Sequence, residues 1–121
     1  MKKLLVLCMF IMVAHAHAFT LNDLVGTYKV TLKEAPVVST ITVKANGTVE
    51  IVETSPVDEV VCTGFARIEN DDFLSRVTCN NGAVVDQRVS LSQVKSLDAF
   101  SAMVYSSGFG GEVLMDFVKL N

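Results

Sequence analysis

From Leu24 onward the chain is written in a period of two. Leu24, Gly26, Tyr28, Val30 and Leu32 alternate with Val25, Thr27, Lys29 and Thr31, the spacing that sends successive side chains to opposite faces of a strand. Similar runs recur along the chain, cut by turn residues at Pro36, Asn46-Gly47, Pro56 with Asp58, Glu69 to Asp72, Asn81-Gly82 and Gly108 to Gly111. Short strands separated by turns about every 8–12 residues are the pattern of an all-β sandwich or barrel. The strands read as Leu24 to Leu32, Val37 to Lys44, Thr48 to Thr54, Glu59 to Ile68, Phe73 to Cys79, Ala83 to Leu91, Ala99 to Tyr105 and Glu112 to Leu120. Ser92 to Asp98 stays open between a loop, a bent strand and one helical turn. About eight strands with short connections imply an up-and-down antiparallel meander, and about eight suffice to close a small barrel without exposed edges.

Two hairpins fix their own register. Ala45-Asn46-Gly47 and Asn80-Asn81-Gly82 share an x-Asn-Gly sequence. A two-residue loop would set Val43 against Glu50. A three-residue loop with glycine in the left-handed conformation sets Val43 against Val49 and Ile41 against Ile51, apolar against apolar. In the second hairpin the three-residue form places Ala83, Val85, Val89 and Leu91 on the face of Val77 and Cys79. The two-residue form would place Asp86 and Arg88 there. The three-residue form is expected in both.

Cys62 and Cys79 flank the polar tip Glu69-Asn70-Asp71-Asp72. A tip centred on Asn70 and Asp71 sets the two cysteines directly opposite each other, with Phe73 facing Ile68 and Val77 facing Gly64. Directly opposed residues lie about 4.5–5.5 Å apart at Cα, within disulfide reach. A bridge is therefore expected, as a staple worth roughly 3 kcal/mol on the chain-entropy model.

Met1 to Ala18 reads as a cleaved secretory signal. Lys2 and Lys3 give the positive start, Leu4 to Ala14 the apolar run, and Ala16-His17-Ala18 the small-x-small cleavage pattern. The run is shorter than the roughly 20 residues that cross a bilayer, so no stable membrane anchor is expected. Residues 19–121 then form a single domain that is secreted or periplasmic, consistent with a disulfide. Removing the leader takes away Cys8, both histidines and two lysines, so the mature chain is more acidic than the formal −3 of the whole. Its scattered basic residues form no stripe for nucleic acid. Without histidine it has neither Ser-His-Asp nor Cys-His chemistry, nor His-liganded zinc. No catalytic residue, metal or cofactor is expected.

The remaining motifs resolve toward structure. Ser92-Gln93-Val94-Lys95 matches Ser-x-x-Lys but lacks the accompanying elements of that chemistry. Glu69, Asp71 and Asp72 fit no calcium loop and read as a polar hairpin tip. Asn46-Gly47-Thr48 matches the N-glycosylation pattern and is taken as a chance match. Ser106-Ser107-Gly108-Phe109-Gly110-Gly111 is the most distinctive segment. It reads either as a flexible hairpin connection or as a mobile rim loop, with Ser107, Gly108 and Phe109 meeting a ligand or partner.

Gly26-Thr27-Tyr28, together with Phe117-Val118-Lys119-Leu120, resembles the calycins, the group of lipocalins and fatty-acid-binding proteins. There a Gly-x-Trp motif opens an eight-stranded barrel, and a basic residue near the last strand packs on the tryptophan. The resemblance puts Tyr28 at the tryptophan position and Lys119 at the basic one. Ser107-Gly108 also begins the Ser-Gly-x-x-Tyr motif of the bacterial periplasmic C-type lysozyme inhibitors, but Gly111 stands where the tyrosine belongs, so that inhibition is not expected.

The sequence therefore leads to an exported, non-catalytic binding barrel. If the barrel is open, Tyr28, Ile41, Val43, Ile51 and Phe73 line a site for a small apolar ligand. Otherwise they form a filled core. The alternative function is a protein-binding module, such as a hydrolase inhibitor, acting through the 106–111 loop.

Overall fold

The computed structural model describes residues 19–32 and 38–121. The leader Met1 to Ala18 and the break at Pro36 with the start of strand two at Val37 lie outside the described residues. Eight strands follow one another around a closed antiparallel barrel: β1 (Gly26–Leu32), β2 (Val38–Val43), β3 (Thr48–Thr54), β4 (Glu59–Glu69), β5 (Asp72–Cys79), β6 (Val84–Ser90), β7 (Ala99–Ser106) and β8 (Gly111–Lys119). Pairing of β1 with β8, Val30 against Phe117, shuts the ring. Each strand thus has two neighbours, and the edge that invites aggregation is gone.

Both x-Asn-Gly hairpins take the three-residue form. Val43 pairs with Val49 and Ile41 with Ile51, while Val77 pairs with Val85 and Phe73 with Val89. Gly47 (φ 86°) and Gly82 (φ 89°) occupy the left-handed positions these loops need. The Asn46 side-chain oxygen is held inside its own turn, accepting from the Thr48 amide at 3.0 Å. The β4–β5 tip turns on Asn70 (φ 52°) and Asp71 (φ 62°), two successive left-handed residues, as a mirror-image hairpin turn demands. That register brings Cys62 opposite Cys79, and the two are joined by a disulfide with Cα atoms 3.9 Å apart.

One segment differs from the sequence reading, and the stretch it leaves open takes one of the expected forms. The first strand begins at Gly26 rather than Leu24, because Asn22–Leu24 forms a short 3-10 turn. Thr20 and Asp23 cap that turn reciprocally, the Thr20 amide donating to Asp23 Oδ2 at 2.9 Å and the Asp23 amide to Thr20 Oγ1 at 3.3 Å. The open stretch Ser92 to Asp98 is a loop with a turn at its start, where the Val94 amide donates to the Leu91 carbonyl at 3.0 Å. Leu24, Leu91 and Val94 are all buried. These two non-strand segments close one end of the barrel with apolar plugs.

Gly64 marks a close approach of β4 to β5. A Cβ at this position would collide with the carbonyl of Arg76 on β5, so only glycine lets β4 run this close to its neighbour.

Candidate functional site

The inward residues divide the barrel into two ends of different character. At the plugged end the inward positions carry rings: Tyr28 from β1, Phe73 from β5, Phe100 from β7 and Phe117 from β8. Phe100 and Phe117 stack with centroids 4.7 Å apart, and Tyr28 meets Phe100 edge-on at 6.3 Å. The Tyr28 hydroxyl donates to the Leu24 carbonyl at 2.9 Å, tying the plug to the wall. Burial, and after it the Asp98 carboxylate, raise the Tyr28 phenol above its ordinary value. Lys119, its register partner on β8, places Nζ 5.8 Å from the ring centroid. Gly26 (φ 147°) passes beneath this lysine, and a Cβ there would lie 2.8 Å from Lys119 Cε. Glycine, aromatic ring and basic residue therefore form one local unit.

Four of the five candidate ligand-lining residues, Tyr28, Ile41, Val43 and Phe73, surround a void of about 30 Å³ at this end. That is about the volume of one water, whereas ligand pockets run to roughly 300–1,000 Å³. Here these residues form a filled core.

The fifth, Ile51, points into a different space. At the opposite end, where the β3–β4, β5–β6 and β7–β8 connections lie, a cavity of about 320 Å³ opens. Its walls include Ile51, Val60, Val77 and Val85, with the Cys62–Cys79 bridge, and its polar groups include Glu53, Asn81, Gln87 and Ser106. Side chains here are smaller than the rings below them, and the space left over is the cavity.

The 106–111 segment forms part of this rim, and its base is fixed. Ser106 is buried; its Oγ accepts from the Gly108 amide at 3.1 Å, and its carbonyl accepts from the amides of Phe109 at 3.1 Å and Gly110 at 3.0 Å. Ser107 is turned away from the cavity and locked to β6, its amide donating to the Asp86 carbonyl at 3.0 Å and its Oγ accepting from the Asp86 amide at 2.9 Å. Gly108 and Phe109 line the mouth, and Phe109 remains 52% exposed. Of the three candidate loop residues, two face the cavity and Ser107 holds the loop that presents them.

Glu53, Val60 and Gln87 are not singled out by sequence reasoning, and Val85 is read there only as an inward residue of its hairpin. The signal was present for Glu53 and Gln87: each shares an inward face with valine or isoleucine two residues away, Ile51 for one and Val85 and Val89 for the other. Ser75 is a further inward polar residue, its register partners being Ala66 and Gln87. Its hydroxyl is buried without a hydrogen-bond partner among the described residues. Through Ser75, Gln87 and Ser106, paired in sequence across β5, β6 and β7, a polar row runs along the inner wall below the mouth.

The outer wall carries the arginines. Arg67, Arg76 and Arg88 pair with Glu69 (3.1 Å), Asp86 (2.6 Å) and Glu112 (3.2 Å). The hydrogen bond from Arg76 draws the Asp86 carboxyl below its ordinary value. The pairs are exposed, so each adds little to stability. Among the described residues no group of three His, Cys, Asp or Glu is gathered for a metal ion, and no helix is long and apolar enough to cross a membrane. Comparison with protein families, with curated proteins and with solved structures finds no match to this chain.

Proposed function

We propose that the protein is a non-catalytic binding barrel, exported by its leader, that takes a small apolar ligand in the mouth at its disulfide end. The single observation that carries this reading is the cavity of about 320 Å³ among Ile51, Val60, Val85 and Phe109, set above a core that leaves only about 30 Å³. Size and lining match the general character of small-molecule sites, mostly apolar with a few polar groups that fix orientation. The disulfide supports a secreted or periplasmic setting. The unit of Gly26, Tyr28 and Lys119 supports a calycin-like barrel, with tyrosine in place of tryptophan.

The half-exposed ring of Phe109 supports a second reading, a protein-binding module working through the 106–111 loop. Titration with the neutral fluorophore N-phenyl-1-naphthylamine separates the two. The first reading expects saturable fluorescence enhancement that Val85→Asp abolishes and Tyr28→Phe leaves intact. No enhancement, or enhancement indifferent to Val85→Asp, overturns it and leaves the loop as the binding element.

A further inference from the structure

Glu53 continues the inward row of Val49 and Ile51 on β3 and reaches the lip of the mouth. It is the only charged side chain among the described residues that line the cavity. All three arginines of the chain are committed to carboxylates elsewhere, Arg67 to Glu69, Arg76 to Asp86 and Arg88 to Glu112, and Lys119 sits over Tyr28 at the opposite end. No described residue forms an ion pair with Glu53.

A carboxylate beside an apolar cavity is favoured by a cation brought in by the ligand and disfavoured by an anion. From this charge pattern we infer that the mouth selects small molecules with an apolar body and a protonated amine, and rejects fatty acids and other apolar carboxylates. The amine meets Glu53, and the apolar body lies against Ile51, Val60 and Val85. Phe109, on the same rim, supplies an aromatic ring, the other protein group that attracts an organic cation. The inference rests on the mouth being the binding site.

The test keeps the two claims apart by using one chain length and three head groups. Octylamine, octanol and octanoate compete for the mature protein against N-phenyl-1-naphthylamine at neutral pH and low salt. Octylamine is expected to displace the probe at least about tenfold more effectively than octanoate, with octanol between them. Glu53→Gln is expected to reduce the amine's advantage over octanol to within about twofold while leaving octanol unchanged, since the amide keeps the shape and removes the charge. Added salt is expected to weaken octylamine and not octanol. Equal or better competition by octanoate, or an amine preference that survives Glu53→Gln, overturns the charge assignment while the mouth still binds. Failure of both the probe and octanol to bind overturns the mouth itself, and this inference with it.

Discussion

The two ends of this barrel share one strand register and differ in what the inward positions carry. At the plugged end four rings line the lumen, three of them packed together from β1, β7 and β8, and Leu24, Leu91 and Val94 seal what remains. At the disulfide end the same rows carry isoleucine, valine, serine, glutamine and glutamate, and a cavity of about 320 Å³ is left. Barrels of about eight strands lie at the border between a filled interior and one that holds a small ligand. Here side-chain size decides the matter separately at each end. Aromatic packing is concentrated at the plugged end and access at the other.

That division can be broken most forcefully at the rings. Phe73→Ala should cost about 3–5 kcal/mol in urea denaturation, because the void among Tyr28, Val43 and Phe117 cannot collapse around a lost ring. Val85→Ala at the mouth should cost no more than about 1 kcal/mol, since that wall already borders open space. Equal losses would mean that the two ends are packed equally tightly. Removing the bridge with Cys62→Ala and Cys79→Ala should cost roughly 3 kcal/mol, and it should weaken probe binding because the bridge forms part of the mouth wall.

A smaller effect sharpens the plugged end. Tyr28→Phe should cost about 1–2 kcal/mol by leaving the buried Leu24 carbonyl without its donor. It should also change the alkaline limb. With its phenol raised by burial and by Asp98, the folded protein holds that proton more tightly than the unfolded chain. This contribution is complete below about pH 10 and is lost as pH rises through the folded value. Thermal melts across that range should fall for the native protein and fall less steeply for Tyr28→Phe. The smallest stability effect is expected at Phe109→Ala, within about 0.5 kcal/mol for an exposed ring, accompanied by clear loss of probe affinity. A large loss of stability there would place the 106–111 loop in the core instead of the site.

Most of the fold was legible because strand periodicity and turn chemistry agree. Asn46-Gly47, Asn81-Gly82 and the Asn70-Asp71 tip each fix a hairpin, and together they set the register that brings Cys62 to Cys79. The 3-10 turn at Asn22–Leu24 was hidden because leucine at position 24 fits the alternating pattern as well as it fits a plug. The site was legible only in fragments. Alternation says that Tyr28, Ile41, Val43, Ile51 and Phe73 face inward, which is so, but it cannot say where inward residues leave room. That depends on how the ring of Phe100, distant in sequence from Tyr28, meets it edge-on and stacks on Phe117. Reading inward positions as apolar ones also passed over Glu53 and Gln87, the polar groups at the mouth.

The claim that binding belongs to the disulfide end is tested most directly by amide and methyl chemical-shift mapping during titration with N-phenyl-1-naphthylamine. The account predicts shifts confined to Ile51, Val60, Val85, Gln87 and the Gly108–Phe109 rim, with Tyr28, Val43 and Phe117 unmoved. Shifts centred on Tyr28 and Phe117, with the disulfide end silent, would contradict it.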